Sequence, residues 1–152
     1  ELSIKGAAFI AAVATACQHE KLDMLMYYDA RINSTMNGLF RPGTLEVRKG
    51  YYPLKIWGEM LSSDGECETS CDIPDIYAVS AVKDGASVTM ITYYSDDDEA
   101  LPRTFTVELS GDVLRTVYLL DSTHDMTACE TIAPDCGSFR LTMQPNTVVV
   151  IR

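Results

Sequence analysis

The residues whose types and spacing favour chemistry lie in one short segment near the start of the sequence. Asp29 stands near the end of an apolar run, residues 23–30, and Tyr28 directly precedes it. A carboxylate at the end of a buried strand is costly unless it serves a site or forms an ion pair. We expect Asp29 either to face a substrate or to pair with Arg31 and cap loop amides, and the sequence leaves both interpretations open.

Tyr28 and Asn37 are the neighbours of Asp29 that suit the same site. Because successive side chains of a strand point to opposite faces, only one of Tyr27 and Tyr28 can face a binding site. A tyrosine ring there would stack on a sugar. The amide of Asn37 would hydrogen-bond a substrate, although its place before Gly38 also suits a turn. The predicted substrate-binding residues are therefore Tyr28, Asp29 and Asn37.

Other acids and histidines of the sequence favour structural roles. Residues 96–99 are four acids in a turn, but calcium loops need glycine and spaced oxygen ligands, so we interpret them as a solvated tip. His124 lies in a polar loop without further ligands nearby in the sequence. The sequence has no glycine-rich phosphate loop, nucleophile elbow or HExxH motif. We predict no metal site and no cofactor.

The cysteines leave three alternatives open. They number five, so at least one should be free or pair between chains. Cys67 and Cys71 form one closely spaced pair, and Cys129 and Cys136 form a looser one. A zinc site, a disulfide and free thiols are each compatible with these pairs, although the CxxC spacing of a typical zinc site is absent.

The charge of the chain excludes several classes of partner. Its net charge is −10, which argues against nucleic acid and against anionic membrane surfaces, because phosphate binding needs clustered Lys and Arg. A neutral ligand such as a sugar is compatible with this charge. No apolar run is long enough to span a bilayer. Residues 6–17 resemble a signal-peptide core, but Lys5 is the only basic residue before them, and we interpret them as a buried alanine-rich helix; the sequence leaves the location, cytoplasmic or secreted, undetermined.

The pattern of elements changes once along the chain. A helix is predicted over residues 4–19, a buried strand over 23–30, a long loop over 31–48 and a helix over 49–63. Ser3 can cap the first helix, and Pro53 falls in the first turn of the second. A buried strand, a long loop and a helix make one period of a βα barrel, whose chemistry lies after the strands.

Residues after 63 read as an all-β unit. Residues 64–75 are polar and are predicted to be a linker. The following residues alternate with period two, and Asp84-Gly85 predicts a hairpin turn. Strands are predicted over residues 76–83, 86–94, 103–110, 114–121, 138–143 and 147–151. The predicted fold class is α+β: a terminal βα unit of a TIM-type barrel (residues 1–63) followed by an antiparallel β-sandwich (residues 76–152).

Two runs of the sequence resemble a known enzyme family. "LDMLMYYDARINSTMNGLF" and "LEVRKGYYPLKIWGEML" resemble the last strand and helix of the barrel in glycoside hydrolase family 39, which includes β-xylosidases and α-iduronidase. Asp29 matches the acid that ends the strand, and Gly38-Leu39 matches the loop. "VYLLDSTHDMT" and "LTMQPNTVVVIR" are similar to the small C-terminal sandwich of that family. The shared architecture extends to other families of the same barrel clan.

The resemblance implies a retaining O-glycosidase that acts on glycans or plant-type oligosaccharides with two glutamates. In the family these glutamates end the fourth and seventh barrel strands. This sequence begins after the seventh, and Glu1 is not assigned as the nucleophile. We therefore predict no catalytic residue in this chain, and we expect the chain alone to be inactive. The parent protein would bind carbohydrate.

Two further expectations accompany this hypothesis. An unpaired apolar strand promotes association, so we expect residues 23–30 to pair with a second copy or with an edge of the sandwich. The alternative function is a non-catalytic β-sandwich that binds carbohydrate or another partner. That alternative predicts an exposed aromatic platform, for which Tyr93, Tyr94 and Tyr118 are the candidates.

Overall fold

The first helix forms where alanine dominates the sequence. The structure of the protein, a computed structural model, describes residues 3–32, 34 and 38–152. Helix α1 (Ile4–Gln18) begins at Ser3, whose hydroxyl accepts a hydrogen bond from the Gly6 amide at 3.5 Å, as the sequence predicts. Its buried face consists of small side chains, which lets the helix approach its neighbours closely. These residues are Ala7, Ala8, Ala11, Ala12 and Thr15.

Helix α2 (Tyr51–Leu61) is amphipathic and shorter than predicted. Pro53, Ile56 and Met60 are buried, and they recur at helical spacing along one face. Pro53 lies in the first turn, where its missing N–H leaves no hydrogen bond unmade. The helix therefore presents an aliphatic stripe to the same layer as α1.

In the part of the chain that the structure describes, the strands form two antiparallel sheets. The larger sheet has six strands in the order β1-β2-β3-β8-β5-β6, and the smaller sheet pairs β4 with β7. The strands are β1 (Gly65–Cys67), β2 (Ile76–Lys83), β3 (Ala86–Tyr93), β4 (Arg103–Glu108), β5 (Arg115–Leu120), β6 (Asp125–Ile132), β7 (Ser138–Met143) and β8 (Thr147–Ile151).

Two apolar cores lie on opposite faces of the six-stranded sheet. The first packs α1 and α2 against one face and includes Ala8, Ile56 and Met90. The second packs the β4–β7 sheet against the other face and includes Tyr93 and Val149. The molecule is thus a three-layer α+β structure, with the antiparallel sandwich that the sequence predicts.

Most of the predicted strands are present, and two strands of the structure, β1 and β6, were not predicted. The hairpin between β2 and β3 turns at Asp84 (φ 52°) and Gly85 (φ 77°), the two positive φ angles that the Asp-Gly pair predicts. Strand β1 lies within the predicted linker and pairs with β2. Strand β6 lies where the sequence indicated a loop, because its pattern is exposed along most of its length.

The predicted buried strand over residues 23–30 is wrong in this structure. These residues are irregular, and Met24 and Met26 are exposed, Met26 by 81%. A strand needs a neighbour to satisfy its backbone groups, and none of the described strands lies beside this segment. Leu25 and Met26 instead line a groove with α1 residues Phe9 and Val13.

We predict that enlarging the small-residue face of α1 destabilises the protein. Ala8 is fully buried between α1 and the sheet, so Ala8→Leu should lower the free energy of unfolding by about 1–3 kcal/mol through overpacking. Ala16→Leu, at a half-buried position of the same helix, is the matched control and should change it little. Urea unfolding followed by circular dichroism checks both. Equal effects of the two variants would contradict tight packing of α1 on the sheet.

Candidate functional site

Asp29 is buried and forms an ion pair with its near neighbour Arg31. The Asp29 side chain is 5% exposed, whereas the Arg31 side chain is 75% exposed. Asp29 Oδ1 accepts the Arg31 backbone N–H at 2.8 Å, and Oδ2 accepts Nε–H at 2.6 Å. The terminal nitrogen Nη2 also lies 2.6 Å from Oδ2, so two nitrogens on one edge of the guanidinium contact the same carboxylate oxygen. The ion-pair interpretation of the sequence is therefore confirmed.

These contacts set the protonation state of the Asp29 carboxyl. The hydrogen bond from the Arg31 side chain, then the one from its backbone, lower the pKa of Asp29 below the ordinary 3.8, and the side chain of Ser34 acts in the same direction. Burial opposes them but does not prevail. The Asp29 carboxylate in turn raises the pKa of Arg31. Asp29 is therefore an ionised anchor and is poorly suited to proton transfer at neutral pH.

Tyr28 presents its ring to solvent beside this ion pair. It is 71% exposed, whereas Tyr27 is half-buried and lines the groove against α1. The Tyr28 hydroxyl interacts with the Arg31 side chain, and the Tyr28–Asp29 peptide bond is cis. The pair Tyr28 and Asp29 thus combines an accessible ring with a fixed carboxylate. Asn37, the third predicted site residue, lies outside the described residues.

Residues 39–48 form a short hairpin that leads into α2. A Cβ atom at Gly38 would lie 2.8 Å from the Ser34 carbonyl oxygen, so this position needs glycine. Phe40 and Val47 form an antiparallel bridge, and the Arg48 amide donates to the Leu39 carbonyl at 2.8 Å. The aromatic rings of Phe40 and Tyr51 lie 5.6 Å apart. The hairpin therefore packs on the first turn of α2.

A lysine joins this hairpin to the sandwich. The Lys49 ammonium forms an ion pair with Asp125 Oδ1 at 2.6 Å and donates to the His124 carbonyl at 2.9 Å. Lys49 is largely buried, so solvent screens the pair less than it would on an open surface. The sequence places His124 in a polar loop and gives no sign of this contact, because the two partners are 75 residues apart.

Asp121 fixes the loop that Lys49 contacts. Its Oδ1 accepts the backbone N–H groups of Thr123 and His124, each at 2.7 Å, and lies 2.9 Å from the His124 Nδ1. Burial raises the pKa of Asp121, but the two backbone N–H groups and the side chains of His124 and Thr123 outweigh it and lower the pKa to about 2. The loop is therefore closed by an ionised carboxylate.

The described residues show no metal-binding cluster, no disulfide and no membrane-spanning helix. Among them, no group of three or more His, Cys, Asp or Glu side chains has an arrangement that would hold a metal ion. All five cysteines are described, and they are free thiols. Neither α1 nor α2 is long and apolar enough to cross a membrane.

Known proteins resemble this chain in structure and not in sequence. No protein-family model and no curated protein matches it. A glycoside hydrolase family 30 subfamily 8 xylanase, Xyn30A, from Clostridium acetobutylicum superposes on 99% of the chain with a TM-score of 0.77 and 14% identity. A family 30 endoxylanase from Clostridium papyrosolvens C71 superposes on 98% with a TM-score of 0.72 and 14% identity. A family 44 xyloglucanase from Paenibacillus polymyxa superposes on 98% with a TM-score of 0.67 and 15% identity.

These comparisons show that the chain shares its fold with part of several glycoside hydrolases. It spans 39% and 38% of the two xylanase chains and 29% of the xyloglucanase chain. The likeness includes both helices as well as the sheets, since nearly the whole chain superposes. The neighbours named here belong to families 30 and 44, so the resemblance to glycoside hydrolases is confirmed at this coarser level. Family 39 remains a prediction.

We predict that removing the guanidinium raises the pKa of Asp29. Arg31→Gln should move it part of the way to 3.8, because the backbone N–H at position 31 still donates. Since the folded pKa is lowered, the stabilisation by ionised Asp29 is present above 3.8 and is lost as the pH falls through the folded pKa. Carboxyl ¹³C shifts measured against pH by NMR check this. Arg41→Gln, in the ion pair with Glu46, is the control and should leave Asp29 unchanged.

We predict a second acid-sensitive contribution from Asp121. Its pKa is about 2 in the folded protein and ordinarily 3.8, so its stabilisation is full above 3.8 and disappears as the pH falls through 2. Asp121→Asn should lower the free energy of unfolding by about 1–2 kcal/mol at neutral pH and by much less near pH 2. Urea unfolding at several pH values checks it, with Asp112→Asn at an exposed position as control. An Asp121→Asn effect independent of pH would contradict this account.

Proposed function

We propose that this chain is the C-terminal part of a retaining glycoside hydrolase that acts on plant-type glycans. The observation that carries the proposal is the superposition of both helices and both sheets on a xylanase of which the chain spans 39%. The names of the neighbours, which include a xylanase and a xyloglucanase, favour plant cell-wall polysaccharides as the substrate class. Membership of family 39 is part of this proposal and rests on the runs around Asp29 and Trp57.

Residues 1–63 would then form the end of a barrel, residues 64–75 a connection and residues 76–152 the sandwich. The exposed apolar side chains of Leu22, Met24, Leu25 and Met26 support this division. Successive exposed apolar residues mark a surface that another part of a protein covers. A preceding barrel strand would cover them and would supply the backbone partner that residues 23–30 need to become a strand.

In this proposal the chemistry belongs to residues outside the chain. A retaining glycosidase places two carboxyl groups about 5–5.5 Å apart, one as acid/base and one as nucleophile. The ionised, buried Asp29 fills neither role, because its carboxylate is held by Arg31 and Ser34. It would instead position the loop that carries Tyr28, whose exposed ring would stack on a sugar at the open end of the barrel.

The alternative, a sandwich that binds carbohydrate through an aromatic platform, has weaker support. Tyr93 is buried in the core between the two sheets. Tyr94 packs against Phe9 of α1 with ring centroids 5.4 Å apart, and Tyr118 lies beneath the Arg152 guanidinium. The three candidate rings therefore do not form one exposed surface.

The proposal predicts activity in a longer polypeptide and none in the 152-residue chain. The first measurement is the intact mass of the native protein, followed by assays of both forms on xylan, glucan and xyloglucan. ¹H NMR of the first product should show retention of the anomeric configuration. Product of inverted configuration would contradict the retaining mechanism, and hydrolysis by residues 1–152 alone would contradict the absence of catalytic residues.

The same assay tests the predicted site residues. In the longer polypeptide, Tyr28→Ala should raise KM by about tenfold, the equivalent of one lost stacking contact of ~1.4 kcal/mol. Tyr28→Phe keeps the ring and should retain most of the affinity. Tyr51→Ala removes an aromatic ring from the start of α2 and serves as a control for folding. Unchanged KM in Tyr28→Ala would remove Tyr28 from the site.

A further inference from the structure

The two sheets of the sandwich differ in width and leave a cleft between them. The larger sheet has six strands, whereas the described part of the smaller sheet has only β4 and β7. Beside β4, above β2 and β3, lies a cleft of about 430 Å³. Residues 67–73, which begin at the last residue of β1, also line it. The cleft therefore lies where a third strand of the smaller sheet would run.

The residues that line the cleft distinguish its floor from its wall. Every second residue of β2 from Ile76 to Val82, and of β3 from Ser87 to Ile91, faces it. This alternation means that the two strands present a face to the cleft. In contrast, six successive residues, 105–110, line it from β4 and the turn that follows. Successive residues of a strand line a space only when the strand presents its edge.

The backbone hydrogen bonds of β4 also indicate that this strand presents its edge to the cleft. The Leu109 amide donates to the Gly137 carbonyl at 2.7 Å, on the β7 side. Backbone groups alternate in direction along an antiparallel strand, and the register pairs Thr106 with Arg140 and Glu108 with Ser138. The N–H and C=O groups of Thr104, Thr106 and Glu108 therefore point away from β7 and toward the cleft. Among the described strands, β7 alone pairs with β4.

We propose that this cleft receives an extended strand of the same polypeptide, from outside residues 1–152, which adds to the free edge of β4. The proposal rests on the proposed function, in which the chain is part of a longer enzyme. Strand addition satisfies edge backbone groups and places alternate side chains of the added strand in contact with the floor. A sheet of only two strands is marginally stable, so a third strand would strengthen the layer.

The chemistry of the cleft favours a polypeptide strand over a saccharide. Its floor combines aliphatic side chains with the hydroxyls of Ser80 and Thr89, which bond each other at 2.9 Å and so are already satisfied. Among the described residues that line the cleft, Phe105 is the only aromatic one, so stacking on sugar rings would be slight.

The charges of the lining select the side chains of the added strand. Glu68, Asp72 and Glu108 line the cleft, and none of the described residues that line it is a lysine or an arginine. We expect the added strand to place small or apolar side chains on the floor and basic ones toward the acids, which complements this charge. A strand tethered in the same polypeptide has an effective concentration of roughly millimolar or higher, so it would occupy the cleft permanently.

Amide hydrogen exchange tests the proposal without any substitution. In the 152-residue chain, the amides of Thr104, Thr106 and Glu108 should exchange near the rate of unprotected amides. In the longer polypeptide they should exchange about 100-fold more slowly, because exchange then requires local opening. The amides of Phe105 and Val107, which bond to β7, are the internal control and should be protected in both. Fast exchange of the three outer amides in both lengths would overturn the proposal.

A pair of variants provides a second test. Thr106→Pro removes the N–H that faces the cleft but leaves the β4–β7 ladder intact, whereas Thr106→Ala keeps the N–H. In the longer polypeptide the proline variant should melt ~2–4 °C below the alanine variant, and in the 152-residue chain the two should melt together. An equal difference in both lengths would contradict an added strand.

The outcomes separate this proposal from the proposed function. A longer polypeptide that hydrolyses glycans but exchanges these amides quickly overturns the strand alone, and slow exchange without hydrolysis overturns the enzyme function alone. A native protein of only residues 1–152 overturns both. Xylo-oligosaccharides that shift the NMR signals of Thr89 and Phe105 in the 152-residue chain would assign the cleft to a saccharide and also overturn the strand.

Discussion

The six-stranded sheet must be covered on both faces, and the rest of the structure depends on this constraint. In β8 the buried side chains alternate between two cores: Val148 and Val150 face the helices, while Val149 and Ile151 face the smaller sheet. Both faces of this strand are therefore buried, and neither contacts water. The alanine face of α1 suits this requirement, because small side chains let a helix lie close to a sheet without displacing its neighbours.

The parts of the fold that local chemistry dictates could be predicted from the sequence. Ser3 caps α1 and Asp84-Gly85 turns the β2–β3 hairpin because both effects act within a few residues. Strand β6 could not be predicted in this way, since its side chains are mostly exposed and only pairing with β5 defines it. The strand prediction for residues 23–30 was wrong for the opposite reason. Their apolar pattern indicates a buried strand, but no described strand lies beside them to pair with their backbone.

The candidate site also combines contacts between near neighbours, which the sequence indicates, with contacts between distant residues, which it does not. The ion pair of Asp29 with Arg31 joins residues that are only two apart, and the sequence offers it as one of its two interpretations of Asp29. The contacts of Lys49 with His124 and Asp125 bring together residues from the helical and the β parts. No periodicity or motif signals such a pair. These contacts hold the end of the 39–48 hairpin against the sandwich.

Two surfaces of this molecule remain open for different physical reasons. Residues 22–26 expose apolar side chains, and covering them would release water from hydrocarbon. The β4 edge instead exposes backbone donors and acceptors, and covering it requires a strand in register. One kind of partner would not serve both, because apolar contact is non-directional whereas a β ladder fixes direction and spacing. The longer glycosidase polypeptide that we propose would satisfy both demands with separate segments: a barrel strand for the first surface and an added sandwich strand for the second.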